Sequence, residues 1–183
     1  LILADHVHLS REFRQVCHAL NPAPNELAIY KLDTLFASVE ASTETRQAIG
    51  RCRISEIYSN HGASAAYALN RRTAQFLLEH SLSFLHAVDT ELFDPTRRTI
   101  PSLRILQCIP APCVQDASLA EREGALGLAN DIGDQREDHQ NGGPVHDSML
   151  VRCIKNLLRP AYLRIVSAAM ARHGKCRIRI GHA

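Results

Sequence analysis

Apolar side chains recur at three- and four-residue intervals along nearly the whole chain, and this spacing constrains the fold more than any other feature. Leu9, Phe13, Val16 and Leu20 make one helical face, closed by Asn21-Pro22-Ala23-Pro24. Leu27 or Ala28, Leu32, Leu35, Phe36 and Val39 make a second, and Ala48, Ile49, Cys52 and Ile57 a third. A long fourth segment carries Leu77, Phe84, Leu85, Val88 and Leu92 before Asp94-Pro95 stops it. A proline-dotted connection over 95–113 leads to a helix at 119–140. A last helix at about 148–172, kinked at Pro160, ends at His173-Gly174. Only Arg177 to Ile180 alternates with period 2. No heptad is sustained, so the expectation is an all-α fold, a single-domain helical bundle over 1–174 with a basic tail at 175–183.

The helix at 119–140 carries the strongest chemical signal. Ser118 followed by Glu121 is a capping box, and Asn141-Gly142-Gly143-Pro144 is a stop. Between them Asn130, Asp134 and Asp138 recur every fourth residue, a stripe rising about 12 Å. Asp131 and Glu137 flank it, with Arg136 the cation inside the run. Carboxylates about 6 Å apart repel by roughly 3 kcal/mol at an effective dielectric near 20. The helix C-terminus adds about 0.3–1 kcal/mol of penalty for each acid in its last turn. Oxygen ligands in this arrangement suit magnesium, and a solvated acidic face is the plainer alternative.

Composition narrows the field. The chain has 183 residues, with 21 basic against 19 acidic side chains. That balance gives no whole-chain electrostatic case for nucleic acid, so no nucleic-acid partner is expected. There is no Trp, and the nine Phe and Tyr side chains argue against an aromatic stacking platform. Six Cys lack any C-x-x-C pairing and read as reduced thiols. No apolar run is long enough to span a bilayer, and the leucine start lacks a charged n-region, so no signal peptide is read. The expected location is cytoplasmic. The cluster Lys175-Cys176-Arg177-Ile178-Arg179 allows contact with a phosphate or, peripherally, with an anionic membrane face.

Asn130-x-x-x-Asp134-x-x-Glu137-Asp138, followed by Gly142, resembles the second aspartate-rich motif of squalene and phytoene synthases, with Leu126-Gly127-Leu128 as a similar lead-in. Ser10-Arg11-x-Phe13-x-x-Val16-x-x-Ala19-Leu20 is similar to that family's S-R-S-F-x-x-V-x-x-A-L helix. Leu32-Asp33-Thr34 resembles the start of its first acidic motif. Together these segments cover about 45 residues. The departures are specific: Phe36 and Ala37 stand where the first motif has carboxylates, Gly133 replaces the arginine before Asp134, and no Y-C-x-x-V-A-G segment follows.

The resemblance implies an isoprenoid-synthase-like bundle and a magnesium-dependent transferase of isoprenoid biosynthesis that joins two prenyl diphosphates. It implies Asn130, Asp134, Asp138, Asp131 and Glu137 as metal ligands, with Asp33 opposite; Asp33 and Asp134 are then the catalytic pair. Arg11 would face a diphosphate; Arg97 and Arg98, whose surroundings match nothing in the family, are further candidates for binding an anionic substrate. Divalent cations are needed there because phosphate oxygens and carboxylates repel each other without them. Two alternatives stay open: a non-catalytic helical interaction protein or truncated relative, and a terpene cyclase using Asn130-Asp131 with Asp134 and Asp138. Lys31 to Glu40 also resembles the D-M-D-x-F-F-A-S-V-E opening of translesion polymerases. Lys31 occupies the place of the first aspartate there, and no S-x-D-E motif follows.

Overall fold

A computed structural model describes residues 1–80, 87–95, 102–116, 171 and 174–183. Among the described residues eleven strands and three short helices appear, in place of the all-α helical bundle that the spacing predicts. Seven elements build one six-stranded sheet and its first helix: β1 (Ile2–Leu3), α1 (Phe13–Ala19), β3 (Ala28–Lys31), β6 (Gln47–Ile49), β7 (Cys52–Glu56), β8 (Ala66–Leu69) and β9 (Arg104–Ile109). Its strand order is β1-β8-β3-β9-β7-β6, antiparallel except where β3 runs parallel to β9. β2 (Val7–Leu9), β10 (Cys113–Gln115) and β4 (Asp33–Thr34) form a three-stranded sheet in the order β2-β10-β4. β5 (Ser38–Ser42) pairs with β11 (Lys175–Arg179) in a two-stranded ribbon. The remaining helices are α2 (Arg71–His80) and α3 (Val88–Phe93).

The periodicity misleads for a physical reason. All four residues of β3 are buried, and so are the middle four of β9. A strand covered on both faces has no polar side to alternate with, so it reads as a continuous apolar run. Along β3, Ala28 and Tyr30 enter one core with Cys52, Ile54, Leu106 and Cys108. Ile29 points the other way, toward Val39, Phe93, Leu103, Ile105 and Ile180. The prolines of the expected 95–113 connection flank β9 rather than interrupt it, where a missing N–H costs no ladder bond.

The expected third helix is a hairpin. Ile49 pairs with Cys52, leaving Gly50-Arg51 as a two-residue loop with Gly50 at φ +57. Glycine at the first central position suits the tight turns that match strand twist. The first expected helix does form as α1, with Val16 buried and Phe13 and Leu20 packed on the first core.

One crossing organises everything near the candidate site. After β3 the chain leaves the large sheet at Leu32, whose N–H donates to Ala66 O at 2.9 Å and whose carbonyl accepts from Cys113 N at 3.0 Å. The same extended segment therefore serves two sheets within five residues, Tyr30 to Thr34. It then turns at Phe36, whose φ of 56 is in the left-handed region. That conformation is costly for a bulky side chain and persists only where neighbours hold it. Here Thr34 Oγ1 accepts from Phe36 N at 2.8 Å, and Arg179 Nε donates to Phe36 O at 2.9 Å. Thr34 Oγ1 in turn donates to Ile180 O at 2.9 Å, tying the corner to the end of β11.

Candidate functional site

Lys31 and Asp33 stand two residues apart on extended backbone, which turns both side chains to the same side. Both are fully buried. Lys31 Nζ donates to Asp33 Oδ1 at 2.6 Å and to Ala63 O at 2.6 Å, and sits 4.2 Å from the centre of the Phe93 ring. Asp33 Oδ2 accepts from Ala65 N at 3.2 Å. Burial pushes the Lys31 ammonium down and the Asp33 carboxyl up, and their mutual attraction opposes both shifts. With hydrogen bonds on both groups and a ring over the cation, the geometry is that of a satisfied buried ion pair.

His61 extends this cluster. Gln107 Nε2 donates to the carbonyls of Asp33 at 3.2 Å and Cys108 at 2.9 Å, so Gln107 Oε1 is left to accept from His61 Nδ1 at 2.9 Å. This fixes His61 as the Nδ1–H tautomer, with Nε2 buried and without a partner. Burial, and next the Lys31 charge, lower its pKa to about 3, so it is neutral at ordinary pH.

A cleft of about 450 Å³ lies beside the cluster, lined among others by His6, Leu35, Ala63, Ala65, Asp89 and Gln115. Ala63 and Ala65, whose backbone groups bond the ion pair, are among the residues that line it. Ala63 holds φ at +67 there. The ionic groups therefore lie behind the cleft wall, not in it.

The buried thiols Cys52, Cys108 and Cys113 offer no accessible nucleophile either. Cys108 shares its hydrogen with Cys52, which raises Cys108 and lowers Cys52. Both are almost fully buried. Burial pushes Cys113 up to about 12. Thiols in such surroundings are inert.

The residues expected from sequence are not brought together here. Asp33 faces Lys31 inside the protein instead of a metal, and Arg11 lies exposed in the turn before α1. Arg97, Arg98, Asn130, Asp131, Asp134, Glu137 and Asp138 lie outside the described residues. Among the described residues no group of three or more His, Cys, Asp or Glu is placed to hold a metal ion. The expected helical, metal-binding arrangement around Asp33 is therefore replaced by a β-rich one with a lysine as its counter-ion. No protein-family description, no curated protein and no solved structure matches the chain.

A row of three cations lies on the ribbon. β11 and β5 are antiparallel, pairing Lys175 with Ser42, Arg177 with Glu40 and Arg179 with Ser38. Cys176 and Ile178 turn inward opposite Ala41 and Val39, both fully buried. Alternation then puts Lys175, Arg177 and Arg179 together on the outer face, about 7 Å apart. Arg177 and Arg179 are exposed, and Lys175 is half-buried because its Nζ lies 4.1 Å over the Tyr58 ring. Arg46 is engaged by Glu26, Arg51 by Glu12, and Arg104 by Glu26 and Glu56, whereas Arg11, Arg14, Arg71 and Arg72 are exposed singly or in pairs outside any such row. No carboxylate of the described residues pairs with Lys175, Arg177 or Arg179. These residues, set apart in sequence as a basic tail, are a strand fastened by five register pairs. Among the described residues no helix is long and apolar enough to cross a membrane.

Proposed function

We propose that this chain is a non-catalytic binding module that grips a polyanion on the outer face of the β5–β11 ribbon. One observation carries the reading: three cations share one face of a strand whose other face is locked into the core, so their spacing is fixed before any ligand arrives. A pre-set row of charges loses little entropy on binding and meets a repeating anion at several points at once. The magnesium-dependent prenyl-transfer expectation took its geometry from two facing acidic helices. With Asp33 sealed against Lys31, the described residues lend that expectation no support.

The test is binding of inorganic polyphosphate, followed by calorimetry at several salt concentrations. Three cation contacts predict a slope of log K against log[salt] near −2, on the single-strand scale of about −0.7 per phosphate. The variant Lys175→Gln/Arg177→Gln/Arg179→Gln is expected to abolish most of that binding with its thermal unfolding little changed. Undiminished binding by the triple variant would remove the ribbon from the reading.

A further inference from the structure

The ribbon holds more than charge. Tyr58 leaves β7 just after Ile57, which bridges Ala41, and its N–H donates to Glu40 O at 2.8 Å. This fixes the tyrosine against the β5 side of the ribbon, with Lys175 over its ring. Besides the cations the outer face carries the Glu40 carboxylate opposite Arg177 and the exposed Ser38 hydroxyl in register with Arg179; Ser42, opposite Lys175, is buried, and Ser59 Oγ accepts from Glu40 N at 2.8 Å. The apolar residues Val39, Ala41 and Ile178 are turned into the core.

We infer that the polyanion is a single-stranded nucleic acid, whose phosphates lie along Lys175, Arg177 and Arg179 while one unpaired base stacks on Tyr58. The inference rests on the polyanion reading and adds its partner. An extended strand presents basic side chains at a repeat comparable with that of phosphates along an extended polynucleotide, and every base offers a face to an aromatic ring. In the free protein Lys175 occupies the Tyr58 ring. A cation over an exposed ring shifts an equilibrium by only about two- to fivefold, whereas base stacking shifts it by about five- to hundredfold. The base therefore displaces the ammonium, which swings to a phosphate. A duplex hides its base faces. A membrane surface is disfavoured because this face has no apolar side chain to enter the lipid boundary.

Fluorescence anisotropy with a labelled oligothymidylate decides the matter, using the full chain, with inorganic polyphosphate, duplex DNA and phosphatidylserine-containing vesicles as competitors. Oligothymidylate is expected to bind at least fivefold tighter than polyphosphate of equal charge. Tyr58→Leu, which keeps apolar cover over the strand, should lose that margin and leave polyphosphate binding unchanged. Tyr58→Phe should retain it, which separates a ring effect from a folding defect. Equal affinity for both anions, unaltered by Tyr58→Leu, would overturn the nucleic-acid inference and leave polyanion binding standing. Vesicles competing as well as oligothymidylate would also overturn it. Failure of every anion to bind would overturn the polyanion reading itself.

Discussion

Lys31 is held by three partners at once: a carboxylate, a carbonyl and an aromatic ring. Removing one member of such a pair leaves the other charge buried without compensation, which costs about 3–5 kcal/mol. Lys31→Met should therefore lower the unfolding free energy measured by urea titration by about that much. Adding Asp33→Asn should restore much of the loss, because the amide stays neutral and its oxygen still accepts from Ala65 N. A double variant no more stable than Lys31→Met would show that the pair is not the unit of stability. The residues of this cluster were partly legible in the sequence. A lysine and an aspartate two positions apart share a face wherever the chain is extended, but the helical reading of 27–39 put them on different faces. His61 and Gln107 lie 46 positions apart and meet where the chain leaves β7, which runs beside β9, so no local pattern announces them.

The ribbon's behaviour is a property of two strands together. Glu40 stands opposite Arg177 and is the acid within the paired register. Its charge lowers the pull of the basic row on an approaching anion, so Glu40→Gln should tighten polyphosphate binding several-fold at low salt and by less at high salt, where screening shortens the field. Weaker binding by this variant, measured by the same calorimetry, would mean that Glu40 positions Arg177. The alternation of Arg177 to Ile180 was the one period-2 signal in the sequence, and it coincides with much of β11. The hairpin of β6 and β7 reads as a helix, although Gly50-Arg51 divides Gln47-Ala48-Ile49 from Cys52-Arg53-Ile54 at a spacing that suits a tight turn. The buried strands β3 and β9 were not legible either, because periodicity cannot distinguish a strand covered on both faces from a buried helix. Partners decide such segments, and partners are distant.

At the scale of the whole molecule, acid should weaken the fold through His61. Its pKa falls from 6.5 in the unfolded chain to about 3 when folded. Between those values the unfolded chain takes up a proton that the folded protein refuses, so stability declines as pH falls through this window, by about 1 kcal/mol per pH unit. Stability from this source is complete above pH 6.5. His61→Gln should give a correspondingly shallower decline in urea titrations between about pH 6 and 4; an unaltered slope would assign the acid sensitivity to other groups. Net charge is also decided at this scale. The formal value of +2 is small, yet Lys175, Arg177 and Arg179 share one face of β11, while Arg46, Arg51 and Arg104 are held by carboxylates. Whole-chain balance thus conceals a local field that only the folded arrangement of residues creates.

The clasp between Thr34 and Ile180 joins positions 146 apart, and that between Phe36 and Arg179 joins positions 143 apart. Contacts of such long range form late, after most of the intervening polymer has been ordered. During synthesis β5 must wait as an unmated edge until β11 has emerged from the ribosome. The proposed grip on a polyanion then requires β11, so a product that stopped before β11 would lack it altogether.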